Sequence, residues 1–199
     1  VVDPITMIKL NIGGGKGHPR LDGWSIVDLR EGADVRLDIT SEPLPFADGS
    51  VDVIFTSHTL EHIPPQSLMF VLEEFARVLR PGGLLRIGVP DIRLATKAYI
   101  NNDRTFFERS EVTPFDPDAP IGGLLMSWFY STSKVGNGHV HCFDEQYLCY
   151  WLAKAGFEGM RRCSFRSSSL DELRSPDFDR HPNDTLFIEA TVEVAVARP

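Results

Sequence analysis

The chain has 199 residues, of which 42% are hydrophobic and 24% charged, an ordinary globular composition with enough length to fill one core. Its 16 glycines and 14 prolines are scattered rather than periodic, which excludes collagen-like and coiled-coil chains. A formal charge of −8, from 20 Lys+Arg against 28 Asp+Glu, argues against a domain built to grip phosphate backbones, so no nucleic-acid partner is expected.

The first ninety residues alternate short apolar runs with turns, the pattern of an α/β chain with a parallel sheet. Strands are expected at Met7–Ile12, Trp24–Asp28, Asp34–Asp38, Val51–Thr56 and Leu84–Val89. Between the last two, Leu68, Leu72, Phe75 and Leu79 recur at helical spacing, with Pro65 in the first turn and Arg80-Pro81-Gly82-Gly83 as the stop. Residues 92–140 begin helically and are then interrupted by Pro114, Pro117 and Pro120. They read as a cap inserted into a single domain spanning residues 1–199. A second helix is expected from Asp144, its N-cap, to Ala155. Two C-terminal strands follow, at Met160–Phe165 and Thr185–Val194. The polar stretch Ser167–Asp184 between them carries too few apolar residues for a buried element and reads as a surface loop.

Cys142, Cys149 and Cys163 are odd in number and lack metal-ligand spacing, which suits a reduced, cytoplasmic setting. No apolar stretch approaches the roughly 18 residues of a membrane span, and the N-terminus carries no signal pattern, so no membrane partner is expected.

Four constellations carry chemistry. Asn11-Ile12-Gly13-Gly14-Gly15-Lys16-Gly17 follows the first strand directly, where glycine permits positive φ and close backbone approach to a ligand. It is not a P-loop, because no Lys-Ser/Thr follows at the required spacing. Asp28 ends the second strand, where a carboxylate can accept from both hydroxyls of a ribose. Asp38-Ile39 can meet an adenine, the carboxylate taking the amino group and the next N–H meeting a ring nitrogen. Ser57-His58-Thr59-Leu60-Glu61-His62 lies at the carboxyl end of the fourth strand, the edge where open α/β sheets bind ligands.

In this order, the glycine loop, Leu44-Pro45-Phe46-Ala47-Asp48-Gly49-Ser50-Val51-Asp52, Glu61-His62 and Leu79 to Gly83 resemble the class I S-adenosylmethionine-dependent methyltransferases, specifically their small Rossmann-like group. The resemblance covers Lys9 to Asp91 and resumes at Phe143 to Phe157. It implies a Rossmann-like three-layer sandwich whose seven-stranded sheet is mostly parallel with an antiparallel last strand. It also implies a cofactor site in which Gly13, Gly14 and Gly15 wrap the methionine part, Asp28 with neighbouring Leu29 holds the ribose, Asp38 and Ile39 the adenine, and Ser57 lies at the methionyl end. Two departures stand out. Asn11, expected to meet the cofactor's ammonium through its acceptor oxygen, occupies a position where the family usually has an acid, and the segment from Gly17 to Trp24 is too short for the usual first helix.

The expected reaction is methyl transfer to a small or medium acceptor with an oxygen or nitrogen nucleophile. Any base is sought among His58, His139, His141 and Asp91, although for each a structural role is the commoner fate. Three ligands on the one segment His139-x-His141-Cys142 do not close a tetrahedral site, so no metal is expected. The alternatives are a non-catalytic S-adenosylmethionine-binding module and a nicotinamide-dependent oxidoreductase, the latter disfavoured by the short interval from glycine loop to acid.

Overall fold

In the computed structural model, residues 7–15, 20–110, 112–130 and 138–193 are described. Lys16, Gly17 and Pro19 of the glycine-loop region and the end of the last expected strand, Val194, lie outside them.

Seven strands form one sheet: β1 (Lys9–Ile12), β2 (Trp24–Asp28), β3 (Val35–Arg36), β4 (Val51–Ser57), β5 (Leu79–Pro90), β6 (Phe157–Cys163) and β7 (Thr185–Val192). Their order is β3-β2-β1-β4-β5-β7-β6. The first five run parallel, and β7 is antiparallel to both β5 and β6. The order reverses direction at β1, between β2 and β4, and such a switch point opens a crevice beyond the strands' carboxyl ends.

The alternation of side chains along each strand builds two different layers on the two faces. On one face, Leu10, Ile12, Val27, Ile54, Leu85, Ile87 and Ile188 pack against helix α1 (Pro65–Val78) and helix α5 (Glu145–Lys154). The stripe Leu68, Val71, Leu72, Phe75 and Val78 is fully buried there. Pro65 opens α1 at a position whose N–H has no intrahelical acceptor. Asp144 caps α5 by accepting from the Tyr147 N–H at 2.8 Å. Asp144→Ala is expected to cost about 1 kcal/mol, read as a lower urea midpoint at unchanged slope.

The opposite face corrects the expectation for Ser167–Asp184. No helix follows β1 or β2 among the described residues, which leaves Trp24, Val53, Phe55 and Leu84 without the usual cover. The stretch expected to be a surface loop supplies it. Leu173 and Phe178 are buried against those four side chains, and Phe178 meets Trp24 and Phe55 at ring-centroid distances of 4.8 and 5.1 Å. Glu172 fastens this segment by accepting from Lys9 Nζ at 2.8 Å and Trp24 Nε1 at 2.6 Å.

Between β5 and α5 the described residues form three helices, α2 (Ile92–Ile100), α3 (Arg104–Arg109) and α4 (Ile121–Tyr130). They pack on one another around Ala95, Ala98, Phe107, Leu124 and Trp128. An isolated bridge between Asp91 and Phe143 ties the two ends of this region together. No helix among the described residues is long and apolar enough to cross a membrane.

Candidate functional site

Parallel pairing aligns the strand tips. Ile12 pairs with Val27 on one side and with Thr56 on the other, so Gly13, Asp28 and Ser57 emerge at one level. The Gly13 N–H continues the ladder to the Val27 carbonyl at 2.8 Å. Beyond this edge opens a hollow of about 270 Å³. Gly13, Asp28, Asp38, Ile39, His58 and His62 are among its walls, with Leu29, Leu37 and Ile63 supplying apolar surface. A second hollow of about 300 Å³, reached by Gly15, shares Asp28 and Arg30 with the first.

Both carboxylates are held by local backbone. Asp28 accepts from the Gly15 N–H through Oδ2 and from the Arg30 N–H through Oδ1, each at 2.8 Å. These bonds fix the carboxylate's direction, and each oxygen keeps a further lone pair. Asp38 accepts from the Thr40 hydroxyl at 2.7 Å and the Thr40 N–H at 3.0 Å. That hydroxyl and N–H hold its carboxyl below the ordinary carboxylate range.

The glycines are demanded by protein neighbours. Gly13 has φ +77°, and a Cβ there would lie 2.0 Å from Thr59 Oγ1. A Cβ on Gly14 would lie 2.9 Å from Asn11 Nδ2, and one on Gly15, at φ +43°, 2.9 Å from Arg30 Nη1. The loop therefore folds tightly over Asn11, which is buried beneath it, and among the described residues presents bare backbone to the hollow at Gly13.

At the other end stands a group of ionisable side chains on the turn after β4. Glu61 is only 1% exposed. His58 Nδ1 lies 3.3 Å from Glu61 Oε1, and His62 Nε2 lies 3.9 Å from the same oxygen. Segment 138–141 returns across this turn, with the Val140 and His141 N–H groups donating to the Glu61 carbonyl at 2.9 and 3.1 Å. Burial works to raise the Glu61 carboxyl, but the adjacent His58 imidazole, with His62 and His139, holds it below its ordinary range. Burial lowers His139 and His141.

Of the residues expected at the cofactor, Gly13, Asp28, Leu29, Asp38 and Ile39 share the main hollow, and Gly15 reaches the adjoining one. Asn11, Gly14 and Ser57 are not in its walls. Of the four candidate bases only His58 is. Its Nε2 sits 2.8 Å from Thr185 Oγ1, so both ring nitrogens are engaged. Asp91 is fully buried, caps α2 through the Arg93 N–H and pairs with Arg162 at 2.9 Å. His141 contacts the Tyr147 hydroxyl at 3.2 Å. Arg161 and Arg162 lie on an exposed face and reach from it to pair with Glu189 and Asp91. The sequence reading assigned no role to Thr59, whose hydroxyl forces glycine at position 13, or to the buried Glu61. The motif Glu61-His62 was its only signal for the latter.

Comparison with known proteins agrees with this geometry. The family model described as a methyltransferase domain matches residues 28–87. An uncharacterized methyltransferase of Mycobacterium sp. (strain JLS) is 51% identical over 53 residues, covering 27% of this chain and 19% of that protein. The match thus spans about a fifth of that relative's length. Among solved structures, an S-adenosylmethionine-dependent methyltransferase from Methanosarcina mazei is similar at a TM-score of 0.54 and 17% identity, covering 94% of this chain and 92% of that one. One from Archaeoglobus fulgidus gives 0.53 and 14% identity, with 92% and 85% covered. Sheet order, strand-tip hollow and these likenesses agree: the chain has the class I S-adenosylmethionine-dependent methyltransferase fold.

Proposed function

We propose that the hollow binds S-adenosylmethionine and that the protein transfers its methyl group to a small or medium acceptor bearing an oxygen or nitrogen nucleophile. The observation that carries this reading is the convergence of Gly13, Asp28 and Asp38 on one hollow at the switch point of the sheet. The donor set fits the cofactor. Asp28 offers outward lone pairs to two ribose hydroxyls, Asp38 is an ionised acceptor for an exocyclic amino group, and Leu37, Ile39 and Ile63 offer apolar surface to a purine.

When bound, the cofactor supplies the activated methyl group. The chain's own contribution is position. Orienting an acceptor against that group can supply about 7–11 kcal/mol, so no side-chain nucleophile is required. His58 shapes the wall facing the acceptor and is held between Glu61 and Thr185, which makes it a positioning residue rather than a mobile base.

A non-catalytic binding module is the second reading. It is favoured by Asn11, which sits buried beneath Gly14 and brings no charge to the loop. The two readings separate in one experiment. The protein is incubated with methyl-labelled cofactor and a panel of hydroxyl and amine acceptors, while cofactor binding is followed by calorimetry. Micromolar binding with labelled product supports the enzyme. Binding without turnover across the panel supports the module, and no binding at millimolar cofactor rejects both.

A further inference from the structure

We infer that Glu61, His62 and His139 form a binding site for one divalent transition-metal ion of the Zn²⁺ type at the edge of the hollow. One ligand atom from each of the three residues lies within 4.8 Å of the others, and the two imidazole rings are 5.3 Å apart. The residues come from distant parts of the chain. They meet because the Val140 and His141 N–H groups strap the returning segment to the Glu61 carbonyl.

The hydrogen bonds around the rings point to a cation. His62 Nδ1 faces the Gly138 carbonyl at 3.2 Å, and His139 Nδ1 faces the Trp128 carbonyl at 3.1 Å. A carbonyl oxygen only accepts, so each Nδ1 carries a proton, and on a neutral ring Nε2 is then a bare lone pair. This backbone anchoring is how ligating histidines are oriented in metal sites. Between the rings lies a carboxylate whose oxygens are both buried and which meets, outside the trio, His58 Nδ1 at 3.3 Å from Oε1. Three acceptors thus converge, with His58 reaching one carboxylate oxygen from the side and leaving the space between the three to a positive occupant.

Two imidazoles and a carboxylate suit a borderline divalent ion rather than Mg²⁺ or Ca²⁺, which favour oxygen ligands. Bonds of about 2.0–2.2 Å put tetrahedral ligands roughly 3.3 Å apart. The 3.9 Å from His62 Nε2 to Glu61 Oε1, within a group up to 4.8 Å across, shortens on binding by rotation of the side chains. Three protein ligands leave one position open, as in catalytic rather than structural zinc sites. His62 also lines the hollow, so the open position adjoins the space read above as the acceptor's. On that reading, and only on it, the ion would bind the acceptor's hydroxyl and ease its deprotonation, a task His58 is too constrained to perform. The segment His139-x-His141-Cys142 closes no site by itself: His141 turns to Tyr147, and His139 finds its partners across the fold.

The test uses the full chain without a histidine tag and without cofactor, so its outcome is independent of methyl transfer. Titration with Co²⁺ should give visible d–d absorption that saturates at one ion per chain, and stoichiometric Zn²⁺ should abolish it. His62→Ala, His139→Ala and Glu61→Gln should each weaken Co²⁺ binding by about 100-fold, whereas His141→Ala should leave it unchanged. Should His139→Ala fail to fold, the part-exposed His62→Ala decides. No saturable Co²⁺ or Zn²⁺ binding, or binding that survives both His62→Ala and His139→Ala, would overturn the site. So would imidazole NMR showing His62 or His139 doubly protonated at neutral pH, since a proton would then fill the gap.

Discussion

Asp28→Ala is expected to weaken binding of S-adenosylhomocysteine by about 100-fold. Its carboxylate is aimed by the Gly15 and Arg30 N–H groups, each at 2.8 Å, and on the proposed reading it accepts from both ribose hydroxyls. A hydrogen bond to a charged group contributes about 1.5–3 kcal/mol. Two of them, partly offset by water entering the mutant, leave about 3 kcal/mol, or roughly two decades in affinity. The same substitution releases the Gly15 N–H and loosens the loop over Asn11, which acts in the same direction. Asp52 is the matched control. It receives the Ile8 N–H at 2.8 Å and pairs with Arg80 at 2.5 Å, outside the hollow, so Asp52→Ala should reduce stability and leave affinity within about threefold. Calorimetry on both variants decides. An Asp28→Ala protein with near wild-type affinity would remove the ribose anchor from the account.

The second large effect is on stability. Arg86 is fully buried in β5, on the face covered by segment 164–184. Its guanidinium donates to Asp179 through Nε and Nη2, and through Nη1 to Glu189 and the Ser167 carbonyl, both at 3.0 Å. Arg86→Met keeps most of the volume but strands two buried carboxylates, and breaking such a pair costs about 3–5 kcal/mol. Urea unfolding should show that loss. A combined variant that also makes Asp179 and Glu189 apolar should recover much of it, because replacing the whole network by packed apolar groups is often neutral. If Arg86→Met costs under about 1 kcal/mol, the network does not hold segment 164–184 to the sheet.

The same network sets an acid limit. Burial works to raise the Glu189 carboxyl, but the Ser168 hydroxyl, the Ser169 N–H and hydroxyl, and Arg86 hold it below its ordinary value of 4.5. The folded protein therefore binds that proton less readily than the unfolded chain. Its contribution to stability is complete above about pH 4.5 and is lost as the pH falls through the lowered folded value. Glu189→Gln should flatten this part of the stability–pH curve, measured by urea midpoints from pH 6 downward. An unchanged slope would show that other carboxylates carry it.

The parts of the fold read correctly from sequence were those whose pattern is local. Trp24–Asp28 forms a strand with the expected bounds, and the helix predicted from Leu68, Leu72 and Phe75 runs from Pro65 to Val78. Asp144 caps α5 as its position before an apolar face suggested. Ser167–Asp184 was misread because burial was judged by apolar content alone. Three features make a polar stretch a core layer here: Leu173 and Phe178 on an uncovered sheet face, Glu172 bound to Lys9 and Trp24, and Asp179 bound to Arg86. Each depends on partners far away in sequence.

The site divides in the same way. Asp28 ends a parallel strand and Asp38 follows one, a local pattern that places both at the carboxyl edge, and both line the hollow. Glu61 was not legible, because Glu61-His62 reads equally well as the start of a helix. Only the return of residues 138–141 makes Glu61 a buried charge among imidazoles. Gly14 shows a constraint that a glycine-rich motif read alone does not reveal: its small size answers to Asn11 beneath it.

Crystals of the protein grown with S-adenosylhomocysteine would test the central claim most directly. The adenosyl group should lie in the hollow with its ribose hydroxyls on Asp28, its amino group on Asp38, and the homocysteine end running past Gly13. Density for the ligand at some other surface, or a fully occupied hollow in which neither carboxylate touches the nucleoside, would contradict it.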